Sequence, residues 1–356
     1  MSEDKYLFDE LITLSEKIKA AQAGGMPSDL VDRANQMLQR LSRMAKAGGY
    51  ASEFDTLSYY INQITVIPWS KVSQDNIDIN VASQILESNH HGMPEVKERI
   101  LEYLATRILM LQRDMAEESK RAPVLLFVGL QGVGKTTLAM SIAQALNRKF
   151  VRIAMGALGT VLEIRGRSKA FPEAEPSQIV KALINTQVMN PVILLDEIEK
   201  ASGSEALRAD INAALLEILD PNQNIAFRDH FVDYPINLSQ VTFICSANNT
   251  AGLSTALLDR MEIIKMPSYT DAEKIVIGKS YLLPKVIKGS GLNPEELTVE
   301  EELWPAIVRP FGFDTGIRSL NRTLEQIARK VAKEIVEGKV KTVIINEANL
   351  RHYLPL

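Results

Sequence analysis

Apolar residues fall at helical spacing over the first third of the chain and then gather into short uninterrupted runs, and this change of period marks out the organisation. Leu7, Leu11, Leu14 and Ile18 form one stripe, and Leu30, Ala34, Leu38, Leu41 and Ala45 form a second, so residues 4 to 47 read as two helices. Ala23-Gly24-Gly25-Met26-Pro27-Ser28 interrupts them, Ser28 or Asp29 is placed to cap the second, and Gly48-Gly49 ends the pair. The pair reads as an antiparallel hairpin, an interaction arm or spacer. Residues 50 to 120 stay mainly helical, with a break at Ile67-Pro68-Trp69, a linker from Ser73 to Asn80, and a helix from about Pro94 to Glu118.

At Ala122-Pro123 the period changes. Val124 to Val128, Phe150 to Ile153, Val192 to Leu195 and Val241 to Cys245 are apolar runs of strand length, separated by helical segments. Strands buried on both faces lose the in-and-out alternation, so these predict a parallel sheet covered by helices on each side. From Thr270 the chain is helical again. Thr270 with Glu273 and Thr298 with Glu301 have capping-box spacing, a long helix is predicted from about Gly316 to Glu337, and a short strand from Lys339 to Asn346. The fold class is α/β plus α, with a domain boundary near Pro267.

Composition narrows the function. With 46% hydrophobic and 24% charged residues the chain has the balance of a soluble globular protein, and a net charge of −4 supplies no global field for a polyanion such as nucleic acid. Lys120, Arg121, Arg165, Arg167 and Lys169 read as a solvated face rather than a binding patch. The single cysteine, Cys245, cannot form an internal disulfide and reads as a core residue, and the four histidines have no zinc-site spacing. His90 and His91, before Gly92, read as turn or cap residues. An acidic start, Met1-Ser2-Glu3-Asp4-Lys5, and the lack of a membrane-length apolar run predict a cytoplasmic protein without a membrane partner.

The chemistry starts after the first strand. Gly129-Leu130-Gln131-Gly132-Val133-Gly134-Lys135-Thr136 fits the phosphate-loop pattern G-x-x-x-x-G-K-[ST], and the match lies between a strand and a helical segment from Thr136 to Leu146. Glycines let backbone N–H groups turn inward around phosphate oxygens, where the next helix adds its positive end. Lys135 would neutralise the β- and γ-phosphates of ATP, and Thr136 would ligate Mg²⁺. A second buried strand delivers Asp196 and Glu197 at its C-terminal end, where ligands of open parallel sheets bind. Asp196 would join Thr136 at the Mg²⁺, and Glu197 would orient and deprotonate the attacking water. The candidate ATP/ADP contacts are Gly129, Gly132, Val133, Gly134, Lys135, Thr136, Thr137 and Asp196.

Longer stretches carry a resemblance. Leu194-Leu195-Asp196-Glu197-Ile198-Glu199-Lys200, the run Ala213-Ala214-Leu215-Leu216-Glu217-Ile218-Leu219-Asp220-Pro221-Asn222-Gln223-Asn224 and Leu257-Leu258-Asp259-Arg260-Met261-Glu262-Ile263-Ile264 resemble the ATPase module of the Lon protease family, a branch of the AAA+ ATPases. Lys149-Phe150-Val151-Arg152-Ile153 and Pro68-Trp69-Ser70 match as well, so the resemblance runs from about Tyr50 to the end. Together with the helical pair read from the apolar stripes, it divides the chain into an N-terminal helical arm (1–65), a helical linker (66–121), a large AAA+ α/β nucleotide-binding domain (122–267) and a small helical lid (268–356). It also implies that Asn248 is at the sensor-1 position, bonding attacking water and γ-phosphate, where a turn-ending asparagine is the plainer reading. Arg260 takes the arginine-finger position, reaching the γ-phosphate of a neighbouring subunit, against an alternative in which it pairs with Asp259 or Glu262. Arg318 takes the sensor-2 position on the lid. A finger supplied in trans implies a ring, by resemblance a hexamer.

Two departures from the family pattern shape the expected activity. The segment Glu163-Ile164-Arg165-Gly166-Arg167-Ser168-Lys169-Ala170-Phe171-Pro172-Glu173-Ala174-Glu175-Pro176 keeps an aromatic at the position that grips polypeptide in the pore, but Pro172 replaces its aliphatic partner and glutamates surround it. Phe171 is thus either a pore-loop contact or a side chain tucked into the core. The phosphate loop carries Leu130 and Gln131 where prolines are usual, at positions that bear no charge chemistry. No Ser-Lys peptidase dyad can be assigned, so the expected activity is ATP-driven unfolding or remodelling of polypeptide without proteolysis by this chain. The competing readings are a nucleotide-gated scaffold and the ATPase half of a split Lon-type protease, whose partner would be a separate peptidase subunit.

Overall fold

The structure, a computed structural model, describes residues 2–46, 52–76, 78–113, 115, 122–171, 173–200, 205–309 and 316–354. Helices come first: α1 (Ser2–Ala23), α2 (Ser28–Lys46), α3 (Ser52–Thr65), α4 (Ile79–Asn89) and α5 (Pro94–Gln112). Strands and helices then alternate through β1 (Val124–Val128), α6 (Lys135–Ala145), β2 (Phe150–Ala154), α7 (Gln178–Thr186), β3 (Val192–Asp196) and α8 (Glu205–Leu219), and the strands β4 (Phe227–Asp229), β5 (Tyr234–Ile236), β6 (Thr242–Ala247) and β7 (Met261–Lys265) follow. The C-terminal part holds α9 (Asp271–Ile277), α10 (Leu283–Gly289), β8 (Leu297–Val299), α11 (Trp304–Val308), α12 (Arg318–Val336) and β9 (Val343–Ile345). No helix among the described residues is long and apolar enough to cross a membrane.

The main sheet has strand order β2-β3-β6-β1-β7 and is parallel throughout. Its side chains alternate between two cores. Leu125, Phe127, Leu194 and Ile244 face the apolar cluster built with α4, α5 and α6, whereas Leu126, Ile193, Leu195 and Cys245 face a cluster shared with α1–α3 and α8. Both sides are buried, which is why these strands read as unbroken apolar runs. The edge strand β7 escapes that signature, because Glu262 and Lys265 interrupt it on a margin that needs no apolar cover.

The first three helices pack onto the sheet domain. Leu14, Ile18, Leu30 and Tyr60 belong to the same cluster as Leu195, the Tyr60 hydroxyl donates to the Val232 carbonyl at 2.8 Å, and Arg33 donates to the Asp233 carbonyl at 3.0 Å. The stretch between α3 and α4 is fastened too, since Arg148 donates through Nε and Nη2 to the two carboxylate oxygens of Asp75, each at 2.6 Å.

Two sequence expectations are corrected. The helix starting at Pro94 ends at Gln112, where Arg113 leaves helical geometry, rather than continuing towards Glu118; residues 114 and 116–121, with Lys120 and Arg121, lie outside the described residues, as do Gly48-Gly49. Thr298 caps no helix. Its backbone is committed to β8, paired in parallel with Ile344 of β9, and the next helical turn begins after Glu300. At Thr270 the expected capping box forms: the Glu273 amide donates to Thr270 Oγ1 at 3.3 Å and the Thr270 amide to Glu273 Oε2 at 2.8 Å. From there α9 runs into α10 through one π turn, Gly278–Leu282. Glycine is required at its start, because a Cβ on Gly278 would lie 2.6 Å from the Trp304 ring.

Candidate functional site

Strand order brings the chemistry together. β3, β6 and β1 are neighbours, and Asp196-Glu197, Asn248 and the loop from Gly129 leave their C-terminal ends side by side. Adjacent strands lie roughly 5 Å apart, so residues distant in sequence meet on one edge of the sheet.

A cleft of about 180 Å³ forms there, lined by Gln131, Gly132, Gly134, Lys135, Thr136, Thr137, Asp196, Glu197, Asn248, Ile317 and Arg318. It gathers most of the residues singled out from the sequence. Gly129 and Val133 belong to the same loop but stand beneath it: a Cβ on Gly129 would meet the Met266 carbonyl at 2.8 Å, and Val133 is fully buried with its carbonyl accepting from Tyr269. Gly132 and Gly134 have φ of 81° and 98°, the left-handed region that glycine enters without strain, which turns the loop into the start of α6.

Lys135 is 8% exposed, and its ammonium donates to the carbonyls of Gly129 and, at 3.1 Å, Leu130, and to Asn248 Oδ1 at 3.0 Å. None of these three acceptors is a carboxylate, so the positive charge is solvated by neutral oxygens at the mouth of a helix N-terminus. Burial pulls its pKa below the ordinary lysine value, against the upward pull of the Glu199, Asp196 and Glu197 carboxylates.

Asp196 accepts from Arg152 Nε at 2.5 Å and from the Ser246 hydroxyl. Glu197 has φ of 59°, an uncommon backbone for glutamate, held by its amide donating to Ser246 Oγ at 3.1 Å. Its carboxylate accepts from Lys200 at 2.8 Å. Ser246 therefore ties both acidic residues to the neighbouring strand. Neither Ser246 nor Arg152 stands out as a site residue in the sequence, because each reads as one more strand position and only the β3–β6 and β2–β3 pairing places them here.

The lid reaches the same cleft. The Ile317 amide donates to the Gly132 carbonyl at 3.1 Å, and Arg318, the first residue of α12, lines the cleft. Beside it lies a second cavity of about 670 Å³, which shares Gly134, Thr137 and Ile317 and is otherwise lined by residues including His90, His91, Tyr269 and Tyr281. His90 is buried, its Nε2 lies 2.9 Å from Ser141 Oγ, and burial together with nearby Lys97 lowers its pKa to about 4. These histidines sit in the turn expected of them, but the turn also walls a cavity; the nearby Gly92, which permits it, is the only trace in the sequence.

Arg260 and Phe171 lie elsewhere. Arg260 is absent from the cleft lining and pairs with Asp220, donating through Nη2 at 2.9 Å and to the Ala256 carbonyl at 2.8 Å, and not with Asp259 or Glu262. Phe171 is 60% exposed and so is not tucked into the core. Its loop is closed by the Arg167 amide donating to the Glu175 carbonyl at 2.9 Å, and the charges of Arg165, Arg167 and Lys169 are met by Glu217, Glu173 and Asp233. These basic side chains thus form a compensated surface.

Residue composition fits Mg-nucleotide: a turned glycine loop, an ammonium with neutral partners only, and a threonine and an aspartate on one cleft suit a cation that keeps most of its ligands as phosphate oxygens and water. Among the described residues no group of three or more His, Cys, Asp or Glu side chains forms a metal cage of its own.

Comparison with known proteins agrees with this geometry. Residues 125–268 match the family model described as ATPase family associated with various cellular activities (AAA), and residues 288–344 match the Lon protease AAA+ ATPase lid domain. The chain is 39% identical over 339 residues to Lon protease 2 of Herpetosiphon aurantiacus, covering 95% of this chain and 40% of that protein. It is 41% identical over 345 residues to Lon protease 1 of Bacillus subtilis, covering 97% and 43%. With Lon protease 2 of Thermus thermophilus identity is 40% over 332 residues, covering 92% and 41%. The chain spans about two-fifths of the length of these relatives.

Proposed function

The chain belongs to the Lon family as an AAA+ module, and from that position we propose that it is a Mg-ATP-hydrolysing ring motor that uses nucleotide turnover to remodel or unfold polypeptide. The observation that carries the reading is the convergence of Lys135, Thr136, Asp196, Glu197, Asn248 and Arg318 on one cleft, with the Lys135 charge held only by neutral oxygens. Bound Mg-ATP supplies the phosphoanhydride and its metal. The protein's part is to hold and orient. Gly132 and Gly134 expose backbone donors, Lys135 offsets phosphate charge, and Thr136 and Asp196 would hold the cation. Glu197, kept in its strained backbone by Ser246, would take the proton of the attacking water. The neighbouring cavity, at about 670 Å³, has the volume of a small-ligand site and would receive base and sugar.

Arg260, outside its own cleft and partly exposed beside Asp220, is suited to serve a neighbouring protomer, which makes the working unit a ring, by family resemblance a hexamer. The exposed Phe171 on its pinned loop would contact polypeptide. Mg-dependent ATP turnover tests the enzyme claim: wild type turns over and Glu197→Gln falls by about two orders of magnitude or more, the usual contribution of a general base, whereas equal rates would dismiss it. Phe171→Ala separates motor from scaffold. Loss of the stimulation that an unfolded polypeptide gives to turnover supports the motor, and unchanged stimulation supports the scaffold.

A further inference from the structure

Glu199 lies beyond the paired acids of β3, in the helical turn Ile198–Lys200, and no role follows for it from the phosphate loop. Its Oε1 accepts from the Asn248 backbone amide at 3.0 Å and from Asn248 Nδ2 at 2.7 Å. Its Oε2 is buried without a hydrogen-bond partner. A carboxylate oxygen left unmatched in a protein costs desolvation free energy, so packing alone does not account for an ionisable side chain here.

The opposite end of the Asn248 carboxamide meets Lys135, whose ammonium donates to Oδ1 at 3.0 Å. An ammonium only donates and a carboxylate only accepts, so a carboxamide between them has one orientation that satisfies both. We propose that Glu199 is a positioning residue that fixes the Asn248 carboxamide with its oxygen, not its nitrogen, facing the cleft. The consequence is a change of role for Asn248. With its backbone N–H and one carboxamide N–H taken by Glu199, it turns its carboxamide oxygen to the cleft as an acceptor, which holds the Lys135 ammonium or a proton of the attacking water. A γ-phosphate oxygen requires a donor, and Lys135 and Arg318 are the side chains of the cleft that supply one as cations.

The kinetic consequence rests on the ATPase reading above; the structural one does not. Hydrogen exchange at the Asn248 amide tests the latter without turnover. Glu199→Ala is expected to speed exchange there at least tenfold while Glu199→Gln, which keeps an acceptor oxygen, stays within about threefold of wild type; unchanged exchange in Glu199→Ala overturns the proposal. Mg-ATP turnover tests the former. Glu199→Ala is expected to lower kcat at least tenfold with KM within about threefold, Glu199→Gln to recover most of that loss, and Glu199→Ala to add nothing in an Asn248→Ala background. Multiplying losses in the double variant would show that Glu199 does not act through Asn248. Asn248→Asp keeps the shape and sets a second carboxylate against Glu199; its loss of turnover should be relieved by adding Glu199→Gln, and absence of relief counts against the pairing. Should the wild type hydrolyse no ATP, the ring-motor reading fails while the exchange result still decides this one.

Discussion

Gly316→Ala is the sharpest test of how the lid controls the cleft. Gly316 immediately precedes Ile317 and Arg318, and a Cβ built there would lie 2.5 Å from the Gln131 carbonyl oxygen and 2.9 Å from Gly132 Cα. Both obstacles are backbone atoms of the phosphate loop, which cannot swing aside as a flexible side chain can. Ordinary contact begins near 3.4 Å, so the lid segment must retreat by about 1 Å. That retreat stretches the bond from the Ile317 amide to the Gly132 carbonyl, now 3.1 Å, and withdraws Arg318 from the cleft it lines. A misplacement of this size costs on the order of 10²-fold in rate, and the crowding itself about 1–3 kcal/mol. Steady-state ATP turnover and binding of a fluorescent ATP analogue are the assays. The expected result is a fall in kcat/KM of about two orders of magnitude with the two apolar cores of the sheet intact. Gly289→Ala is the control in the same lid, because a Cβ there meets nothing within 4 Å. Wild-type turnover in Gly316→Ala would refute the claim that the contact between Gly316 and the phosphate loop sets the lid's position during catalysis.

Other outcomes are expected. His90 stays neutral in the fold down to a pKa of about 4 but takes a proton near 6.5 when unfolded, so the unfolded chain binds more protons between these values. The stability this supplies is complete above pH 6.5 and is lost as pH falls towards 4, by up to about 3 kcal/mol; urea midpoints measured against pH should show that slope in wild type and lose it in His90→Gln. Mixing Arg260→Ala with Glu197→Gln, each inactive alone, should restore part of the turnover, because the second chain offers its arginine to the intact Glu197 of the first; no recovery at any ratio would exclude action in trans.

Much of this molecule is legible along the chain because its signals are local. A strand buried on both faces must be apolar at every position, and a loop that wraps phosphate must carry glycine at set places and a lysine at the start of a helix, so β1, β3 and Gly129–Thr136 stand out without any knowledge of their neighbours. The cap at Thr270 is equally local. Thr298 has the same spacing and fails, since a distant strand, β9, claims its backbone. The edge strand β7 escapes notice because its environment, not its composition, makes it a strand.

The cleft shows the same division. Lys135, Asp196 and Glu197 are recognisable by type and position, but what each is doing is decided by strands that lie far apart in sequence. Ser246 holds Asp196 and Glu197, Asp220 holds Arg260, and Glu199 turns Asn248. Each of these is a short-range hydrogen bond between long-range partners. A hydrogen bond is worth something only within about 3 Å and in one direction, and no pattern along a chain reports which two distant residues will arrive at that separation. Residue types therefore settle what chemistry is available here, and the order of strands in the sheet settles which groups share it.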